Sequence, residues 1–146
     1  MAVPQRPQPQ STSAIETECI GPHVLVTRMR GHMTRDLAEQ RYEQFRGLMA
    51  ITTDPHWIIE QLELTGFDPG AVSAGARWFN TFKERGGHQV IFVSALPAAR
   101  MVAASLAFAV HAKISACDTL AVAYERAGVS PTEARPSLLP RLRLGD

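Results

Sequence analysis

Five histidines, two cysteines, a Gly-rich run and two close glutamates are the residues of this chain whose types could do chemistry. His23, His32, His56, His88 and His111 could ligate a metal, but no two stand four apart, so no helix presents a ligand pair. They read as isolated surface or loop histidines, and the sequence predicts no metal site. Cys19 and Cys117 lack CxxC spacing and read as reduced core thiols of an intracellular protein. Gly70 to Gly75 has the spacing of a phosphate loop. The Lys-Ser/Thr pair that would meet phosphate and magnesium is replaced by Ala76-Arg77, so that reading fails. Glu60 and Glu63 fall three apart on a strand-like run and are expected on opposite sides of it. A buried Glu60 would need a partner such as Arg28 or His32. Ser94 has no GxSxG context and no evident base. Nothing here assembles a catalytic set, and the sequence predicts neither an enzyme nor a cofactor.

The elements that would position these residues centre on Trp57 to Val93. Trp57-Ile58-Ile59 and Leu62 to Leu64 form an apolar run of strand length. Asp68 is expected to cap a helix with its carboxylate, and Pro69 suits the first helical position. Val72, Ala76, Phe79 and Phe82 recur at helical spacing and predict the inward stripe. Lys83 and Arg85 suit the last turn, and Gly86-Gly87 supplies a left-handed stop. Gln89 to Val93 is a short strand. Two strands joined through such a helix are parallel.

Around that unit the chain reads in order. Residues 1–14 are rich in Pro, Gln and Ser and form a disordered tail, whose PQRPQP run could serve as an extended ligand for an aromatic groove. Ile15 to Arg30 forms two short strands around Gly21-Pro22, with Gly31 ending the second. Thr34 caps a helix with Ala38, Tyr42, Phe45 and Met49 on its buried side, running to about Ala50. Pro97 opens a helix with Met101, Val102, Leu106 and Phe108 inward. A strand follows at Ile114 to Cys117, and Asp118 or Thr119 caps a last helix from Leu120 to Ala127, stopped by Gly128. Residues 129–146 read as a flexible C-terminal tail, with an apolar, basic segment from Leu138 to Leu144. The alternation predicts one α/β domain over 15–128, with a mostly parallel sheet of four to five strands and three to four helices.

Bulk properties narrow the partner classes. A chain of 146 residues with 45% hydrophobic content and net charge +1 suits a single domain without nucleic-acid affinity. No run approaches the roughly 20 apolar residues of a membrane span, and no signal peptide is evident. A cytoplasmic protein is expected.

Five pieces in register resemble a STAS domain, the fold of the anti-sigma factor antagonists. Val24 to Thr34 matches the family's strand and first helix start, with Gly31, Met33 and Thr34 in place. WIIEQLELTGFDPGA matches its central strand and Asp-Ser-Ser-Gly loop: Asp68 falls on the Asp, Pro69 and Gly70 on the serines, Ala71 on the Gly. Gly86-Gly87, the Pro97-opened helix, and Ile114 to Ala123 match the rest. The resemblance implies a partner-binding module, with another protein as partner. In the antagonists the second loop serine is phosphorylated by a partner kinase, which turns binding off. Gly70 has no hydroxyl, so that switch has no acceptor here; Ser73 and Thr65 are nearby hydroxyls that could be modified, but neither matches. The implied partner surface comprises Asp68, Gly70, Ser73, Arg77 and Trp78. Trp78 replaces a residue that tends to be polar in the family, and is either a core-edge residue or an exposed anchor. Two rival readings are a small-molecule or anion site at the loops after Leu64 and Val93, where a helix N-terminus suits an anion, and a homo-oligomer formed through the charge-poor helix Ala98 to Val110.

Overall fold

The computed structural model describes residues 12–94, 97, 100–101, 104–105 and 113–130. Most of the N-terminal tail, all but two residues of the C-terminal tail, His111 and most of Ala98 to Val110 lie outside the described residues. Among the described residues the strands are β1 (Ala14–Ile20), β2 (Val24–Met33), β3 (His56–Phe67), β4 (Gln89–Val93) and β5 (Ile114–Cys117), and the helices described from end to end are α1 (Arg35–Ala50), α2 (Pro69–Glu84) and α3 (Leu120–Arg126); Pro97, Arg100, Met101, Ala104 and Ser105 are helical as well. One five-stranded sheet runs in the order β1-β2-β3-β4-β5. β1 and β2 form an antiparallel hairpin, turned at Gly21 with φ +70°. The other neighbours are parallel, as connections through helices require.

Local chemistry explains the helix ends. The Thr34 hydroxyl accepts from the Leu37 amide at 3.2 Å and Thr119 does the same for Val122, which satisfies first-turn donors. α2 stops in a Schellman arrangement: Gly87 N–H donates to Phe82 O and Gly86 N–H to Lys83 O, with Gly86 at φ +77°. α3 ends the same way, with Val129 N–H to Tyr124 O, Gly128 N–H to Glu125 O, and Gly128 at φ +79°. In both cases the left-handed residue carries no Cβ to clash. Gly31 behaves differently from expectation. It does not end β2, which runs on to Met33; with φ +78° it lets the strand shift register against β3 and pass close to Ser13.

The sheet is covered on both faces. One face carries Leu25, Trp57, Ile59, Val90 and Phe92 beneath α1 and α2. The other carries Val26, Ile58, Ile91 and Val93 beneath Ala123 and Tyr124 of α3. Trp57 is the hub of the first core, with the rings of Phe45, Phe79 and Phe82 centred 4.6, 5.0 and 5.4 Å away. Its indole N–H donates to Thr27 Oγ1 at 2.9 Å, and Thr27 also bonds Thr17, so this polar group is buried without being orphaned.

The inward stripe of α2 is Ala71, Trp78, Phe79, Thr81 and Phe82, whereas Val72 and Ala76 are only half-buried. The helix is therefore rotated from the expected setting. The cause is the large Trp78 ring, which gains more by entering the core than Ala76 could. Met101 is 70% exposed rather than inward. Its neighbour Arg100 takes the strand-facing position, donating from Nε and Nη2 to Ser94 O at 3.1 and 2.7 Å and pairing with Asp118. Cys19 and Cys117 are free thiols, and burial above all pushes both thiols up from their ordinary pKa.

Candidate functional site

The loop between β3 and α2 lies at the carboxyl ends of the parallel strands. Asp68 N–H donates to Met33 O at 2.9 Å, tying the loop to the end of β2. The Asp68 carboxylate makes no cap bond to the helix. It turns instead to His32, with Nε2 to Oδ1 at 2.7 Å and both side chains about half exposed. The backbone does the capping: Asp68 O accepts from Ala71 N at 2.9 Å and Val72 N at 3.3 Å. Pro69 has no N–H. The start of α2 thus has few free donors and a carboxylate beside it, which does not favour an anion there.

Gly70 sits against α1. A Cβ on it would come 3.1 Å from Arg35 Cβ, so even a serine at this position would press on the Arg35 side chain. Arg35 pairs with Glu39 at 3.0 Å. His32 lies over Gly66, where a Cβ would meet its Nδ1 at 3.1 Å, and its N–H donates to Ser13 Oγ. Ser73, Arg77 and Thr65 are exposed. Arg77 lies over the Tyr42 ring at 3.9 Å, a cation–π contact. Asp68 thus meets His32 and Gly70 meets Arg35, while Ser73 and Arg77 follow Gly70 at helical spacing along α2.

Trp78 stands apart from these residues. It is 4% exposed and lies among Phe45, Tyr42 and Trp57 at centroid distances of 4.6, 6.2 and 6.4 Å. Of the two alternatives the sequence left open, the structure has the core one. His32 and Arg35 were missed as site residues because only the β2–β3 register, His32 opposite Gly66 and Met33 opposite Phe67, puts them beside the loop.

Two expectations about charged residues are overturned. Glu60 and Glu63 do not diverge: Glu60 meets Arg28 at 3.7 Å and Glu63 meets Arg30 at 3.2 Å. Between these pairs β2 has one residue, Met29, and β3 has two, Gln61 and Leu62, and a bulge of this kind resets the alternation. His56 and His88 are not isolated, since their ring centroids lie 4.6 Å apart, with the planes tilted by 47°. Burial first, then the charges of His88, His23 and Lys113, lowers the His56 pKa. Gln89 Nε2 lies 3.2 Å from Arg126 O and 2.9 Å from His56 Nδ1. The carbonyl demands the amide's NH₂ end, so Nδ1 must accept and stay unprotonated. The stability this neutral ring gives is complete above the unfolded histidine pKa and is lost as pH falls through the lower folded value. Melting temperature should therefore fall between pH 8 and 5, and His56→Gln should shrink that fall. An unchanged pH slope in the variant would refute the assignment.

Among the described residues, no group of three His, Cys, Asp or Glu side chains is placed to hold a metal ion, and no helix is long and apolar enough to cross a membrane.

No family model matches the chain, and no curated protein matches it. Solved structures do. A Shewanella loihica protein of the DUF3478 family with a SpoIIAA-like fold superposes with TM-score 0.62 at 14% identity, covering 79% of this chain and 93% of that one. The anti-sigma factor antagonist SpoIIAA in its unphosphorylated form gives 0.61 at 17% identity, covering 77% and 96%. An anti-sigma factor antagonist from Mycobacterium paratuberculosis gives 0.58 at 13% identity, covering 82% and 97%. The chain thus has the SpoIIAA-like, STAS-type fold: a single α/β unit with a mostly parallel five-stranded sheet.

Proposed function

We propose that this chain is a non-catalytic protein-interaction module, a cytoplasmic regulator or scaffold component, whose partner is another protein. Its contact surface comprises Asp68, Gly70, Ser73 and Arg77, extended by His32 and Arg35. The observation that carries the reading is the loop itself. In a fold shared with anti-sigma factor antagonists, the Asp68 carboxylate after the central strand bonds His32 at a half-exposed position rather than capping its own helix. Gly70 offers no hydroxyl and abuts Arg35, so binding here works without phosphorylation at the loop. Ser73 and Thr65, both exposed, are the hydroxyls within reach of a modifying enzyme.

The test is capture of a partner from native lysate by the full chain, beside Asp68→Lys and Arg77→Glu, with folding checked by circular dichroism. Both positions are solvent-facing, so neither change should shift the melting temperature by more than a few degrees. A specific protein retained by the wild type and lost by both variants supports the surface. A partner retained by both variants places the contact elsewhere and removes this reading.

A further inference from the structure

Between the sheet and the helices α1 and α2 lies a cavity of about 90 Å³. One water needs roughly 10–15 Å³ measured in this way, so the space is several times larger than a solvent molecule requires. Its wall is apolar, with aromatic rings from Trp57, Trp78, Phe79 and Phe92 among aliphatic side chains. Gln61 is the exception.

Trp57, Ile59 and Gln61 alternate onto the same face of β3, where the first two are core residues. Gln61 is only 9% exposed. Its Oε1 is buried with no hydrogen-bond partner, and its Nε2 reaches Met29 Sδ at 3.5 Å, a poor acceptor. An orphaned amide oxygen in a core is a standing cost that leucine at this position would avoid. A trapped water does not repair it, because a buried water needs two to four polar partners and this wall offers one side chain.

Gly75 is a second, independent oddity. It lies mid-α2, where alanine is the better helix former. A Cβ added there would meet nothing within 4 Å, yet Gly75 lines the cavity. Met29, Phe67, Val72 and Gly75 of the wall are half-buried. The glycine leaves room that an ordinary side chain would fill.

We propose that this cavity is a binding site for a small uncharged ring compound carrying one hydroxyl or N–H donor, of the size class of a phenol. The ring lies among the aromatic side chains, and the Gln61 amide, held only by its weak contact to Met29 Sδ, turns about its last torsion to bring the buried Oε1 to the donor. A charged ligand is excluded, since the wall holds no ionisable side chain to compensate it. Phe67 and Ala71 belong to the wall and flank Asp68 to Gly70, so occupancy abuts the proposed partner surface. The ligand site stands whether or not that surface binds a protein.

Both tryptophans of the chain line the cavity, so their fluorescence reports its contents. The full chain is titrated with phenol and, separately, with toluene, which matches it in non-hydrogen atoms but has no donor. Phenol should give a saturable change, with toluene about tenfold weaker. Gln61→Leu should abolish that preference, and Gly75→Leu should abolish both responses. The proposal is overturned if phenol gives no saturable response. It is equally overturned if phenol and toluene bind alike, or if a folded Gly75→Leu still binds phenol. Should Gly75→Leu not fold, amide NMR shifts of the wild type decide: phenol-dependent shifts at Ile59, Gln61 and Gly75 support the site, and shifts confined to other residues sink it.

Discussion

Trp78→Ala should lower the unfolding free energy by about 3–5 kcal/mol and the melting temperature by about 10–20 °C. The indole is 4% exposed and stacks on Phe45 at a centroid separation of 4.6 Å, with Tyr42 edge-on. Its removal takes a large apolar area out of the core and enlarges a cavity that already exists beside it. Urea unfolding followed by far-ultraviolet circular dichroism measures the effect as a fall in the midpoint at an unchanged slope. A loss below about 1 kcal/mol would mean an exposed indole and would return Trp78 to the contact surface. The same result governs how partner experiments are read. Weaker capture by Trp78→Ala reports a smaller folded fraction, whereas weaker capture by Arg77→Glu reports the surface.

Gly87→Ala should cost about 3 kcal/mol, the upper part of the range for overpacked cores. A Cβ at this position would lie 2.3 Å from Cε2 and Cζ of the Phe82 ring. Phe82 is 1% exposed and its ring sits 5.4 Å from that of Trp57, so it cannot swing clear without disturbing the hub of the core. Gly86→Ala is the informative contrast. Gly86 is at φ +77° with nothing within 4 Å of an added Cβ, so its cost is conformational only, about 1–2 kcal/mol. The larger loss should fall on Gly87, and Phe82→Leu should relieve part of it, so that the double variant loses less than the two single losses combined. Equal losses at the two glycines would show that the ring yields easily.

The two glycines mark where sequence reading stops. Glycine after a helical stripe with Lys83 and Arg85 is a local signal, and it located the end of α2 because the left-handed residue depends only on its own backbone. That Gly87 is required for the approach of Phe82 is a fact about a side chain five residues back and the core it is pinned in. The same division holds elsewhere. Thr34 with Ala38, Tyr42, Phe45 and Met49 was legible as a capped helix with its buried face, because cap and periodicity are properties of consecutive residues. The order of strands and helices followed likewise, and with it the α/β class and the resemblance to the antagonist fold. The bulge in β3 was not legible. It leaves no mark in composition, yet it brings both Glu60 and Glu63 to arginines of β2.

What the sequence by itself determined is the order of the described strands and helices, the Thr34, Thr119 and glycine caps, and the loop at Asp68 to Ala71 with its missing hydroxyl. These rest on short-range backbone and side-chain preferences. The tertiary structure alone decided that Trp78 turns inward, that His32 rather than the helix takes the Asp68 carboxylate, and that Gln61 and Gly75 border a common cavity. Each of these depends on strand register and helix rotation, which are settled by the competition of large side chains for one core volume and not by any residue's neighbours in the chain.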